Sequence, residues 1–175
     1  RFNEAVFVHL SIMDYNMRKD GTVGDKQDFY QHPELYSSAF MKYAKQADIF
    51  IAGHYYSSGS PYLFTREDAK DVDFNLKVIA DISCDINGPV ASTIRPSTIK
   101  SPIYGYSKTL EKEVNFKQED AIAVMAVNNL PCELPKDSSE NFGNEMLTNI
   151  FPSLINEDSQ QIIANATICE NGDLT

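Results

Sequence analysis

Hydrophobic positions in this chain gather into short, near-continuous runs separated by polar stretches with helical spacing. The first run covers residues 5–13, Ala5-Val6-Phe7-Val8-His9-Leu10-Ser11-Ile12-Met13, and is rich in β-branched and aromatic side chains. Such a run predicts a strand buried on both faces. Residues 16–26 are charged and punctuated by glycine, which predicts a loop. His32-Pro33 opens a predicted helix, with proline at a tolerated first-turn position. Leu35, Tyr36, Ala39, Phe40, Tyr43 and Ala44 then fall on one helical face. Residues 47–53 form a second buried strand ending in glycine, and residues 54–64 a polar, aromatic loop. Thr65, with Asp68 three residues later, predicts a short capped helix.

Residues 76–82 read as the third strand, which turns at Asn87-Gly88-Pro89. Residues 89–106 are rich in Pro, Ser and Thr and read as an extended excursion with one short strand around Ile103, Tyr104 and Tyr106. Residues 121–127 are the fourth strong strand, broken by Asn128-Asn129-Leu130-Pro131. Asp137-Ser138-Ser139-Glu140 reads as a capping box opening a helix with Phe142, Met146, Leu147 and Ile150 inward. A last amphipathic piece covers about residues 157–165. Apolar, non-alternating strands separated by helices imply an α/β fold with a parallel sheet covered on both faces. Ligands of such sheets collect outside the carboxyl ends of the strands. Here those ends are residues 53–56, residues 81–85, residues 128–131 and the loop after Met13.

Composition narrows the partners. In 175 residues, 25 Asp plus Glu against 15 Lys plus Arg give a net charge of −10. Without a basic stripe, that balance argues against nucleic acid. Cys84, Cys132 and Cys169 are sparse, odd in number and free of any C-x-x-C spacing, so buried thiols in a reducing, cytoplasmic setting are expected rather than a disulfide framework or zinc site. No apolar run reaches the roughly 20 residues that span a bilayer, so no membrane is expected. Arg1-Phe2-Asn3-Glu4 has neither an initiator methionine nor a signal-peptide pattern, and both ends read as cut from something longer.

At the strand ends, Asp81, Ser83 and Asp85 share one side by strand periodicity, so two carboxylates and a hydroxyl could meet in a cleft and stabilise developing charge. The alternative is that Asp81 bonds to backbone and Asp85 starts a turn before Asn87-Gly88. Asn128 and Asn129 offer amides suited to a carboxamide or ribose, or simply end a strand. His9, His32 and His54 have no partner at metal spacing; His54, beside Tyr55 and Tyr56, is the one placed to touch a ligand. The sequence has no G-x-G-x-x-G, and Ser57-Ser58-Gly59-Ser60 lacks the phosphate-loop form.

Several stretches in order carry a resemblance. They are Asp28-Phe-Tyr-Gln-His-Pro-Glu-Leu-Tyr36, Leu63-Phe-Thr-Arg-Glu-Asp-Ala69, Val78-Ile-Ala-Asp-Ile-Ser-Cys-Asp85, Arg95-Pro-Ser-Thr98 and Val127-Asn-Asn-Leu-Pro-Cys-Glu-Leu-Pro135. Together they resemble the alanine dehydrogenase/nicotinamide nucleotide transhydrogenase superfamily, nearest its lysine–2-oxoglutarate reductase and lysine-forming saccharopine dehydrogenase branch. The resemblance implies an oxidoreductase acting on CH–NH or CH–NH2 groups, with NAD or NADP in a cleft between two domains. This chain then corresponds to the later part of the cofactor-binding domain (residues 1–156) followed by a C-terminal helix and tail (157–175). Tyr55, Ile82, Ser83, Cys84, Val127, Asn128, Asn129 and Leu130 would line the cofactor, and Asp85 matches an acidic catalytic residue. Cys84 would be a packing or cleft residue and not a nucleophile.

The implied fold is a partial Rossmann-like, doubly wound parallel sheet lacking its first two strands and Gly-rich loop, which would lie upstream with the family's Lys/His acid–base pair. If residues 6–13 are strand 3 of a 3-2-1-4-5-6 sheet, they face a gap of roughly 10–15 Å. Repacking, strand exchange with a second copy in a homo-oligomer, or order confined to the second half would relieve that exposed edge. The implied partners are a nicotinamide dinucleotide and a small amino or 2-oxo acid. Rival readings are a non-catalytic nucleotide-binding or oligomerisation module, and a transhydrogenase branch that would need membrane domains.

Overall fold

A computed structural model of the protein describes residues 4–175. They divide into two compact units, one up to Asn128 and one from Asn129 onward. The first unit contains, in chain order, β1 (Asn16–Arg18), α1 (Lys26–Gln31), β2 (Tyr36–Ser38), α2 (Met41–Ala44), β3 (Ile49–Ala52), α3 (Arg66–Ala69), β4 (Val78–Asp81), β5 (Ile103–Ser107), β6 (Lys112–Val114) and β7 (Ala121–Met125). The second contains α4 (Pro135–Glu145), α5 (Phe151–Ile155), α6 (Ile162–Ala166) and a small antiparallel pair, β8 (Cys169–Glu170) with β9 (Asp173–Leu174).

The sheet that organises the first unit has the order β3-β4-β7-β5-β6. Strands β3, β4 and β7 run parallel, with Ile49 opposite Val78, Ala52 opposite Asp81 and Ala80 opposite Met125. They are three of the four apolar runs that read as strands by hydrophobicity. β5 lies antiparallel to β7 and carries the antiparallel β6 at its far side, so the sheet is mixed. Gly105 permits that edge: a Cβ there would lie 2.6 Å from the Phe116 Cα. Helices flank this sheet in an α/β, Rossmann-like arrangement. The core holds Phe40, Phe64, Phe74, Leu76, Ile79, Val90, Tyr106, Ile122 and Val124.

Several expectations are corrected. Residues 5–13 form no strand, and Val6, Phe7 and Val8 are exposed. A parallel strand is held by ladder partners on its sides, and here the run has none, so its apolar side chains have no sheet to join. The strands are also not buried on both faces: Ile49 and Ile51 of β3 are exposed while Ala52 is buried. The helix expected from His32 breaks into a 3-10 turn at Pro33–Leu35, the strand β2 and the single turn α2. Tyr36, Phe40 and Ala44 are nonetheless buried, so the apolar spacing marked core residues without marking a helix. Part of the stretch read as a loop pairs instead: β1 runs antiparallel to β2, and Asp25 caps α1 by accepting from the Gln27 and Asp28 amides.

In the second unit, α4 begins at Pro135, not at a capping box on Asp137. Proline needs no N–H partner there, and the Ser138 hydroxyl donates back to the Pro131 carbonyl at 3.1 Å. Phe142 and Leu147 are exposed, while Met146 and Ile150 are half-buried.

Candidate functional site

Because β3, β4 and β7 are parallel neighbours, their carboxyl ends lie side by side, which brings residues 53–56, residues 82–85 and residues 126–128 to one edge of the sheet. The backbone ties the middle loop to its neighbour. The Ile82 and Ser83 amides donate to the Ala52 carbonyl at 2.8 and 3.3 Å. On the other side, Ser97 pins the end of β7: its amide donates to the Ala126 carbonyl at 2.8 Å and its hydroxyl accepts from the Ala126 amide at 2.9 Å.

Residues 82–88 trace a constrained turn. Cys84 has φ 55° and Asn87 φ 52°, left-handed values costing a residue with a side chain about 1–2 kcal/mol each. The Gly88 amide donates to the Asp85 carbonyl at 3.0 Å, and a Cβ on Gly88 would lie 2.7 Å from the Asp85 Cβ. Glycine is therefore required by close approach. At the head of the turn, the fully buried Asp81 carboxylate accepts from the Ser83 hydroxyl (2.6 Å), the Thr93 hydroxyl (2.6 Å) and the Cys84 amide (3.2 Å). Asp81 thus satisfies the backbone alternative, with Ser83 joined to it. The strand ends at Asp81, so the alternation that would put Asp85 beside them stops there.

The sequence-predicted positions separate as follows. Ser83, Cys84 and Asp85 are half-buried in the turn, Ile82 is half exposed, and Tyr55 projects largely into solvent. Val127 is buried beside Ser97, which leaves its backbone as the part that could meet a ligand. Asn128 is exposed at the end of the first unit. Asn129 and Leu130 belong to the second, where the Asn129 carbonyl accepts from the Cys132 amide at 3.2 Å. Thr93 and Ser97, which orient this edge, were assigned no role from the sequence. Ser97 falls in the stretch at residues 95–98 that helps carry the resemblance, Thr93 in none of those stretches, and only the fold returns both to the strand ends.

Electrostatics distinguish two groups. Burial pushes the His54 imidazole pKa below its ordinary value, against the opposing pull of Asp81 and Asp85, and both ring nitrogens are buried without a hydrogen-bond partner. Burial raises the Cys84 thiol pKa, with Asp81 and Asp85 adding to the rise, and the thiol donates to the Asp81 carbonyl at 3.1 Å. Cys84 is accordingly a poor thiolate and a packed turn residue. Beside His54, an open cavity of about 320 Å³ is walled by Tyr15, Lys26, Tyr30 and Tyr55 among others. Among the described residues no group of His, Cys, Asp and Glu has the arrangement to hold a metal, and no helix is long and apolar enough to cross a membrane.

This arrangement presents donors and acceptors of fixed direction at a strand-end edge, with one carboxylate, Asp85, left over from the turn's own bonding. The family model for the alanine dehydrogenase/PNT C-terminal domain matches residues 6–175. The chain belongs to that family. Its similarity extends to individual members. An Arabidopsis thaliana alpha-aminoadipic semialdehyde synthase is 29% identical over 159 residues, covering 86% of this chain and 15% of that protein. The mitochondrial alpha-aminoadipic semialdehyde synthase of Mus musculus is 26% identical over 192 residues, covering 95% of this chain and 21% of its own. A lysine-forming, NAD(+)-linked saccharopine dehydrogenase from Emericella nidulans is 29% identical over 122 residues, covering 66% of this chain and 29% of that protein. The chain thus spans less than a third of each of these relatives.

Proposed function

We propose that this chain is the cofactor-side domain of an NAD(P)-dependent amino-acid dehydrogenase of the saccharopine-forming kind, with Asp85 as its catalytic carboxylate. The observation that carries this reading is the turn after β4. In a chain of this family, it leaves Asp85 half-buried at a strand-end edge and outside the hydrogen bonds that bind Asp81, Ser83 and Thr93 together. On this reading, residues 1–156 are the later part of the cofactor domain and 157–175 a C-terminal helix and tail. A nicotinamide dinucleotide, when bound, supplies the hydride that moves to or from the carbon–nitrogen bond of the substrate.

The chain's own groups fit the nicotinamide half of such a ligand. Ile82 and Tyr55 offer exposed apolar and aromatic surface at the edge, while Ser83, Cys84 and the backbone at Val127 and Asn128 frame it. Asn129 and Leu130 continue that segment in the sequence. Asp85 would hold the positive charge of an iminium or ammonium group against the hydride-bearing face, a role for a fixed carboxylate in a water-poor cleft. The substrate is a small amino acid and a 2-oxo acid, lysine being the amine that the name of the saccharopine dehydrogenase relative favours. Cys132 and Cys169 are exposed and Cys84 half-buried, so they are not the buried thiols expected. Their sparse, odd number still favours a reducing, cytoplasmic setting, the mitochondrial name of the mouse relative being the alternative.

By itself the 175-residue chain is expected to bind dinucleotide weakly and to turn over nothing, since its sequence carries no Gly-rich turn for the pyrophosphate. Mixing it with NADH or NADPH, a 2-oxo acid, and lysine or ammonia, and following loss of the reduced cofactor, tests this directly. Turnover like that of an intact dehydrogenase overturns it. In the full-length enzyme, Asp85→Asn should lower kcat by roughly 10²–10⁴ with little change in cofactor affinity. A change confined to binding would favour a nucleotide-sensing module instead.

A further inference from the structure

Asp81 ends β4 with its side chain fully buried, and its hydrogen-bond partners are a serine, a threonine and a backbone amide, all neutral. A buried carboxylate is tolerable only where several donors converge on it. These donors come from two places: Ser83 and Cys84 from the turn itself, and Thr93 from a segment beyond it. One oxygen gathers the turn and the other anchors that gathering to the core. The Cys84 thiol closes the ring by donating to the Asp81 carbonyl.

Cys84 is the residue that needs such a clamp. Its left-handed backbone is unfavourable for any residue but glycine, and both its amide and its thiol are tied to Asp81. Asp85 is the next residue, so its direction follows from the Cys84 conformation. A second brace ties the far end of the turn to the same segment: the Asn87 amide donates to the Thr93 carbonyl at 2.9 Å. Thr93 therefore holds the turn at both ends, by its hydroxyl through Asp81 and by its carbonyl through Asn87.

We propose that Asp81, locked by Thr93, is the positioning residue of this site: it presets the turn so that Asp85 stands at the strand-end edge before any ligand arrives. The inference rests on the reading of Asp85 as the catalytic carboxylate. Asp81 itself is fully buried, with both oxygens engaged by the turn and by Thr93, whereas Asp85 is half-buried at the edge, which separates their roles.

Cys84 reports on the clamp. In the 175-residue chain with Cys132→Ser and Cys169→Ser, which remove the exposed thiols, Cys84 should react slowly with a disulfide reagent. Asp81→Ala should speed that reaction by roughly tenfold or more, the scale expected when buried hydrogen bonds are lost. Asp81→Asn keeps an oxygen for Ser83 and the Cys84 amide and should stay within about threefold. Thr93→Val keeps the charge of Asp81, so a faster reaction in that variant reports turn opening and not removal of a neighbouring negative charge; Thr93→Ser should restore the native rate.

In the full-length enzyme, Asp81→Ala and Thr93→Val should lower kcat by roughly tenfold or more with KM for the cofactor nearly unchanged, and the Asn and Ser variants should recover most of it. Native thiol rates and native kcat in folded Asp81→Ala or Thr93→Val protein would overturn the proposal. If Asp81→Ala does not fold, Thr93→Val decides alone. Should Asp85→Asn leave kcat intact, the reading of Asp85 fails, and the thiol rates still show whether Asp81 sets the turn.

Discussion

His54 illustrates how a single residue acquires a property from its surroundings. In the sequence it is a histidine after an apolar run; in the fold both nitrogens are sealed from solvent without partners. Burial lowers its pKa, and the charges of Asp81 and Asp85 oppose the shift only in part. Between the ordinary value near 6.5 and the lowered folded value, the unfolded chain takes up a proton that the folded chain refuses. His54 therefore leaves stability intact above about pH 6.5 and erodes it as pH falls through that window. Urea melts across this range should show the decline, and His54→Phe should flatten it. Gly88 makes a second case. Added bulk there meets the Asp85 Cβ at 2.7 Å and the Asp85 carbonyl oxygen at 2.8 Å, so Gly88→Ala should destabilise by about 1–3 kcal/mol. A melt unchanged from the native protein would show that the turn yields without cost.

Among the elements, α3 is where local sequence logic holds completely. Thr65 accepts from the Asp68 amide, and the Asp68 carboxylate accepts from the Thr65 amide, a reciprocal cap on a helix of only four residues. A helix that short has little stability of its own, so its cap carries weight. Thr65→Ala should cost about 1 kcal/mol in chemical denaturation, whereas Thr65→Ser should cost almost nothing. Residues 33–44 show the converse. Their apolar spacing fits a helix, yet Tyr36–Ser38 pairs with β1, because the ladder to Asn16–Arg18 satisfies backbone groups that a lone helix would satisfy only within itself. Tyr36 then buries its ring edge-on to Phe29, 5.1 Å between centroids, and its hydroxyl donates to Asp28 at 2.5 Å. Tertiary pairing overrode helical periodicity while keeping the same side chains inside.

For the molecule as a whole, the sheet has one exposed parallel edge. Among the described residues β3 pairs only with β4, and Ile49 and Ile51 stand out from it at 62% and 57% exposure. An apolar edge of this kind is a template for pairing with another chain. The protein should therefore associate increasingly with concentration in sedimentation or light scattering, and Ile51→Lys should suppress that association without loss of secondary structure. If the native chain stays monomeric at high concentration, the edge is harmless.

Strands β3, β4 and β7, the cap at Thr65 and the break at Asn128-Asn129 were all determined by the sequence alone, because each depends on neighbours within a few residues: an apolar run, a side chain three positions from an amide, a turn-forming pair. The carboxyl ends of these runs were nominated too, once the runs were recognised as strands, while their order in the sheet was implied only by the family resemblance. Pairing across distance was decided only in three dimensions. Residues 5–13 have the composition of a buried strand but no partner ladder, so they form none. β6 has little apolar signal and exists because β5 offers it an edge. The same distinction divides the acidic residues of the site. Sequence spacing put Asp81 and Asp85 together, whereas the fold gave Asp81 to the turn through Thr93, twelve residues on, and left Asp85 outside those bonds. Local spacing can nominate a carboxylate, but burial and the hydrogen bonds reaching it from elsewhere in the chain decide whether it is spent on structure or left available to a ligand.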